Sequence, residues 1–222
     1  MQKHIGYIAL MGLIFIAGCI NVQEDIVLKL NGSGSMHLSY SIPEALMKDQ
    51  TGLRNAMVQT GIQFPLTAKD FNNQFAGLNG VKVKHVKIYT DKGYYIIEGW
   101  VGFRDINNLQ MNALRFSLKK DAGNKELVIY LINSMNKEQE PNAKSKMNYE
   151  NVLKGSLSNY GIKLDVSFPT EIISANGNIH GRDVTWDVPM NVFLKSKAKE
   201  MELRAVYSGS PTFFDKIKDF FR

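Results

Sequence analysis

The stretch VKVKHVKIYTDKGYYIIEGWVGF, residues 81–103, decides the reading of the whole chain. Val81, Val83 and His85 alternate with lysines, so one side of an extended chain is apolar and the other charged, the period of a half-buried strand. Thr90-Asp91-Lys92-Gly93 then supplies turn chemistry, and the run Tyr94, Tyr95, Ile96, Ile97, Trp100, Val101, Phe103 returns as an aromatic and β-branched strand. Gly99 and Gly102 in that run mark a bulge. The segment is a β-hairpin, and it predicts an antiparallel sheet.

Outward from it, the same period recurs in both directions. Towards the C-terminus, Leu114 to Leu118 and Leu127 to Ile132 read as a second hairpin joined across Lys119 to Lys125. The polar stretch 133–146 reads as the longest loop, and Tyr149, Val152, Leu153, Leu157 and Tyr160 follow at helical spacing. Ile162, Leu164, Val166 and Phe168 share one strand face, Asn176-Gly177 reads as a tight hairpin turn, Val184, Trp186 and Val188 alternate, and Met201 to Tyr207 forms a closing strand. Towards the N-terminus, Ile26, Leu28 and Leu30 lead through Asn31-Gly32-Ser33-Gly34 into a strand over 35–41. Ser41 with Glu44, and Thr67 with Asp70, have the form of capping boxes. The first predicts a helix from about Pro43 to Thr60, the second a shorter helix carrying Phe71 and Phe75 and ending near Gly77. The pattern as a whole predicts an α+β domain, a largely antiparallel, hairpin-linked sheet of about ten strands packed with about three helices. It shows no internal repeat and no linker, the loop near Pro141 being the only plausible seam.

The first residues belong to a different class of segment. Met1-Gln2-Lys3-His4 carries one fixed positive charge, and Ile5 to Ile16 carries none. A span needs about 20 apolar residues, so this run is a signal-peptide core rather than a membrane helix. It stops at Ile16-Ala17-Gly18-Cys19, which resembles the bacterial lipobox, and that resemblance implies cleavage before Cys19 and diacylglyceryl or acyl groups on its sulfur. Residues 1–18 are then the signal peptide, 19–24 the lipidated N-terminus and a short tether, 25–208 one ectodomain and 209–222 a C-terminal amphipathic segment.

Cleavage leaves 204 of the 222 residues and lowers the formal charge from +6 to +5 with the loss of Lys3. Cys19 is the only cysteine, so the mature chain has no disulfide and rests on its core. Ile20 follows Cys19 in place of an aspartate that would favour inner-membrane retention. The expected address is the cell envelope: the outer membrane where the cell has one, otherwise the outer face of the cytoplasmic membrane. Charges of both signs are mixed along the chain with no arginine-rich tract, which argues against a nucleic-acid partner.

The last residues read Pro211-Thr-Phe-Phe-Asp-Lys-Ile-Lys-Asp-Phe-Phe-Arg222. On a helical wheel Phe213, Phe214, Ile217, Phe220 and Phe221 fall within an arc of about 120°, with Lys216 and Lys218 outside it. So short a helix needs burial of that face. The domain's own sheet, the membrane headgroup region or a protein partner would each provide it.

The lipobox, the hairpin at Asn31-Gly32-Ser33-Gly34, the aromatic strand entering Phe103-Arg104-Asp105-Ile106 and the segment from Asn176-Gly177-Asn178 to Val184-Thr185-Trp186 together resemble the LppM-type lipoproteins. That resemblance implies a surface lipoprotein with an α+β ectodomain, for which lipid or glycolipid contact is a permitted role. It also implies a closing transmembrane helix, which Phe213 to Arg222 is too short to form.

Chemistry is sparse. His37, His85 and His180 are far apart and lack metal-ligand spacing, so no metal or other cofactor is expected. There is no G-x-S-x-G elbow and no S-x-x-K pair, and the one thiol is assigned to lipid, so no catalytic residue is expected. Asp183 and Asp187 bracket Trp186 as carboxylates bracket a sugar-stacking ring, although Trp186 shares its face with Val184 and Val188 as a core residue does. Trp100, Phe103 and Trp186 are candidates to line a ligand pocket, and equally to fill a core. Three function classes follow: a non-enzymatic envelope lipoprotein binding a lipid, glycolipid or protein partner at the membrane surface, a structural or assembly factor of an envelope complex, and a hydrolase with an unrecognised site.

Overall fold

In a computed structural model, the described residues are 20–51, 53, 54, 64–111, 113–121, 123–132, 161–189, 192 and 198–210. Alternation dominates them and yields twelve strands. They run β1 (Asn21–Leu28), β2 (Gly34–Pro43), β3 (Val81–Asp91), β4 (Tyr94–Phe103), β5 (Gln110–Met111), β6 (Leu114–Asp121), β7 (Asn124–Ile132), β8 (Gly161–Ser167), β9 (Ile172–Ala175), β10 (Asn178–His180), β11 (Asp183–Pro189) and β12 (Glu200–Ser208). Seven form one sheet in the order β10-β11-β8-β1-β2-β4-β3, and five form a second in the order β5-β6-β7-β12-β9.

This corrects the α+β expectation: the described residues are mostly β. Among the described residues helix is confined to α1 (Glu44–Met47), residues 50, 51, 53 and 54, α2 (Ala68–Phe75), Val192 and one 3-10 turn at Ile106–Asn108. Two sheets bury their apolar faces in one shared cluster, so the strands need few helices to cover them. The helix expected from Pro43 to Thr60 is interrupted by a turn at Lys48 and Asp49 after the single turn of α1, whose N-cap, Pro43, makes no side-chain cap; residues 55–60 of that expectation lie outside the described residues. The helix expected at 149–160 lies outside the described residues, as does the loop at 133–146. Thr67 does cap α2, its hydroxyl accepting from the Asp70 N–H at 3.1 Å, while the Asp70 carboxylate accepts from the Leu66 N–H at 3.1 Å rather than closing the box on Thr67.

Register supplies what periodicity could not. β8 lies parallel to β1, with Asn21 opposite Gly161 and Val27 opposite Ser167. β1 is therefore interior to its sheet, with β2 on its other side. Residues 21–24, read from sequence as tether, are the first half of that strand, and Ile20 before it is fully buried. Asn176-Gly177 is no hairpin turn: β9 before it pairs with β12 in one sheet, and β10 after it pairs with β11 in the other. The stretch crosses between sheets, and Gly177 suits it because a Cβ there would meet the Trp186 ring at 2.7 Å. The Thr90 to Gly93 turn holds as read, with Lys92 and Gly93 at φ 49° and 81°. The bulge lies one strand away from its expected place, in β3 between Val83 and His85, opposite Trp100 and Val101.

The seven-stranded sheet has two poles. One gathers Asn21, Ser41, Tyr94, Asp91, Gly161 and Pro189, and the other gathers Leu28, Gly34, Phe103, Val81, Ser167 and Asp183.

Candidate functional site

On the inner face of the seven-stranded sheet stand Val22, Ile26, Met36, Leu38, Ile97, Val101, Leu164 and Trp186, all buried. Gly99 belongs to this face because Phe71 of α2 occupies the space of its missing side chain. One acid interrupts the apolar surface. Glu24, 2% exposed, has an Oε2 without a hydrogen-bond partner. Burial, helped by the neighbouring charge of Asp25, pushes its carboxyl up to about 8, so it is mostly neutral at pH 7.

The outer face carries a row that crosses six strands at one level. Thr185 stands opposite Asp165, Asp165 opposite Asp25, Asp25 opposite His37, His37 opposite Trp100, and Trp100 opposite His85. Four of the five neighbouring pairs are in direct contact, and the fifth, Asp165 and Asp25, sets two carboxylates side by side with the Lys163 ammonium close enough to feel both charges. Thr185 Oγ1 donates to Asp165 Oδ1, and Lys163 Nζ pairs with Asp165 Oδ2 at 2.9 Å. That hydrogen bond and the Asp165 charge raise the Lys163 ammonium above the ordinary lysine range. His37 Nδ1 donates to Asp25 Oδ2 at 3.3 Å, and Gln23 Nε2 donates to Asp25 Oδ1 at 3.2 Å. The indole of Trp100 lies 4.6 Å from the His37 ring at 21° and 5.3 Å from the His85 ring at 35°. The β3 bulge puts His85 on this face; strict alternation from Val83 would have sent it inward.

With an imidazole against each side, Trp100 offers its edge rather than its face to solvent. The row is a ridge of donors, acceptors and ring edges, the chemistry of contact with a polar partner and not of a stacking pocket. His37 Nε2 is shielded within it and has no hydrogen-bond partner.

The three pocket candidates do not converge. Trp100 and Phe103 occupy opposite faces of β4. Phe103 packs beneath Gly34, where a Cβ would meet its ring at 2.7 Å. Trp186 is buried beside Val184 and Val188, while Asp183 and Asp187 are exposed on the other face. Its Nε1 donates to Asn176 Oδ1 at 2.8 Å, and Asn176 Nδ2 donates to the Glu202 carbonyl of β12, so the indole helps tie the two sheets together. An open cleft of about 420 Å³ lies beside it, lined also by Asn178, Thr185, Met201 and Leu203. A second open cleft, of about 580 Å³, lies at the Leu28 and Phe103 pole, lined by Lys29, Lys82, Lys84 and Arg104. Cys19 and the segment bearing Phe213, Phe214, Lys216, Ile217, Lys218, Phe220 and Phe221 lie outside the described residues. Among the described residues no group of His, Cys, Asp and Glu is arranged to hold a metal, and no helix is long and apolar enough to cross a membrane.

Sequence reasoning treated the histidines singly and missed the row. Its one sequence signal is that Asp25, His37 and Trp100 each fall on the less apolar side of a strand; His85 alternates with Val81 and Val83, and only the bulge and the register bring it into line.

No protein-family model matches the chain, and no curated protein matches it. Among solved structures, the NMR structure of the folded domain of the Mycobacterium tuberculosis LppM protein is similar. It shares 16% sequence identity and a TM-score of 0.46, over 86% of this chain and 91% of that one. A likeness of that size assigns neither family nor function.

Proposed function

We propose that this chain is a lipid-anchored envelope protein, without catalytic activity, that binds a lipid, glycolipid or protein partner at the membrane surface. The lipobox-like Ile16-Ala17-Gly18-Cys19 supports the anchor, and one observation shapes the reading. Ile20 is fully buried and β1 begins at Asn21, so a lipid on Cys19 is joined almost directly to an interior strand of the seven-stranded sheet. A diacylglyceryl cysteine carries two chains, each buried CH₂ contributing about 0.8 kcal/mol, which suffices for stable attachment. With almost no tether, the pole of Asn21, Ser41 and Asp91 stands against the bilayer. The ridge of Asp25, His37, Trp100 and His85 rises from there within reach of a membrane-borne partner.

The C-terminal segment fits a different place. Ser208 and Gly209 lie against the Gly123 turn, and Tyr207 packs on Phe168 at 4.9 Å, just past the Ser167 end of β8. The described chain therefore ends, at Ser210, at the pole opposite Asn21, and a contact of the aromatic face of 213–221 with a partner or with the domain itself is the reading this favours over the anchoring membrane.

Expression of the full chain in bacteria with labelled palmitate tests the anchor. Label is expected in the wild type and absent from Cys19→Ser, which should accumulate as an unlipidated precursor of higher mass; label retained on Cys19→Ser would refute the anchor. Native mass spectrometry of the detergent-extracted chain tests the partner. A co-purifying lipid or protein lost in Trp100→Ala supports the ridge as its contact, and an identical species in both proteins removes it.

A further inference from the structure

We propose that the cleft between Lys29, Lys82, Lys84 and Arg104, at the pole away from the anchor, is a binding site for a phosphate-bearing anion. The site rests on its own geometry. Only the statement that it faces away from the membrane depends on the anchoring read above.

Its four cations come from separate parts of the chain. Lys29 follows β1, Lys82 and Lys84 project from the outer face of β3, and Arg104 follows β4. All four are exposed, and among the described residues none pairs with a carboxylate. No Asp or Glu lines the cleft, whose remaining wall is Ser33, Gly34, Gly80, Val81, Gly102 and Phe103. Several surface cations elsewhere pair with carboxylates, Arg54 with Asp70 at 2.7 Å, Lys163 with Asp165 at 2.9 Å, and Arg204 with Glu126 and Glu202 at 2.9 and 2.7 Å, whereas the cleft brings four together with no acid among its lining. Four like charges around one concavity repel each other, and a multivalent anion between them removes that repulsion.

Glycines shape the cleft. Gly80, at φ 72°, leaves room for the Arg104 side chain, which would lie 3.1 Å from a Cβ there, and the Arg104 N–H donates to the Gly80 carbonyl at 2.9 Å. Gly102 lets the Lys84 stem cross the sheet, its Cε 2.9 Å from where a Cβ would stand. The two glycines thus leave room for both cationic side chains to lie over backbone at the cleft. One planar guanidinium with three ammonium groups suits the tetrahedral, multiply charged oxygens of phosphate better than a single carboxylate. The volume lies in the range of small-ligand sites, about 300–1,000 Å³.

The test is calorimetric titration of the detergent-solubilised full chain with inorganic pyrophosphate, at about 20 and 150 mM NaCl to bracket charge screening. Binding is expected to weaken at the higher salt. It should fall at least about tenfold in the Lys82→Gln/Lys84→Gln double variant and several-fold in Arg104→Lys, which keeps the charge and loses the planar fork. Lys163→Gln, remote from the cleft, should bind as the wild type does, and matched thermal melts establish that the variants fold. Flotation with phosphatidylglycerol vesicles identifies the source of the phosphate, using the unlipidated Cys19→Ser chain so that the anchor plays no part. Lysine-dependent binding to vesicles as well as pyrophosphate assigns a lipid headgroup, and binding to pyrophosphate alone a soluble or polymeric phosphate. Absence of pyrophosphate binding at low salt, or equal binding by the double variant, overturns the site and leaves the labelling result at Cys19 untouched.

Discussion

Glu24 and Asp25 are neighbours on β1 and belong to opposite faces of the seven-stranded sheet, so the same functional group is tried in two solvents one residue apart. On the outer face Asp25 is about one-third exposed and accepts from His37 and Gln23. On the inner face Glu24 has an orphaned oxygen among apolar side chains and is pushed up to about 8, burial being the larger cause and the Asp25 charge the smaller. Alternation placed both residues, and the environment of each face set what its carboxyl can do. The outer face tolerates polar groups in a connected row; the inner face tolerates one only in its neutral form.

The largest expected effect follows from that contrast. The folded-state pKa of Glu24 lies above its unfolded value, so its neutral form is fully present below about pH 4.5 in either state and the fold loses stability as pH rises towards 8. Between those limits the unfolded chain has released a proton that the folded chain retains, and the penalty grows to roughly 4–5 kcal/mol before levelling off. Glu24→Gln has no such titration. Urea unfolding of both proteins from pH 5 to 8.5 should show the variant overtaking the wild type as pH rises. A constant difference across that range would mean that Glu24 is ionised with a partner, and the two faces would then not differ in the way described.

A pair of glycines on β4 sharpens the comparison sterically. A Cβ at Gly99 would stand 2.0 Å from the Phe71 ring, which is fully buried and cannot swing aside. Gly99→Ala should cost about 1–3 kcal/mol as an overpacked core does. A Cβ at Gly102 on the outer face meets the far end of Lys84, a flexible stem with solvent to move into. Gly102→Ala should stay within about 0.5 kcal/mol of wild type. Chemical denaturation of the two variants measures the difference, and equal costs would show that α2 yields at Gly99.

Sequence reading succeeded where local chemistry decides the outcome. The hairpin of β3 and β4, the Thr67 cap of α2 and the inward facing of Val184, Trp186 and Val188 are all fixed within a few residues. It failed where strands distant in sequence choose partners. Nothing within residues 162–168 says that they lie parallel to β1, and Asn176-Gly177 has the composition of a hairpin turn even though its flanking strands enter different sheets. The α+β expectation failed for the same reason: helices were assumed to cover a sheet that a second sheet covers. Glu24 was passed over because a single acid before an alternating run reads as solvated tether, and the cationic cleft because Lys29, Lys82, Lys84 and Arg104 meet only once β1, β3 and β4 are registered.

The smallest effect joins the two faces. Asp25 and His37 form a half-exposed pair, the kind whose removal costs under about 1 kcal/mol, so Asp25→Asn should destabilise the fold only slightly at pH 5, where Glu24 is neutral. Above that pH the substitution has a second consequence of opposite sign. The Asp25 charge is one of the two causes holding Glu24 high, so its removal lowers that pKa and eases the penalty for ionising the buried carboxyl. The deficit of Asp25→Asn should therefore shrink as pH rises to 8.5. In a Glu24→Gln background that relief has no carboxyl to act on, whereas any contribution from His37 persists unchanged. The double-mutant cycle, measured by urea unfolding at both pH values, isolates the coupling across the sheet. A deficit that shrinks equally in both backgrounds would assign the pH dependence to the outer face alone and leave Glu24 insulated from the charge beside it.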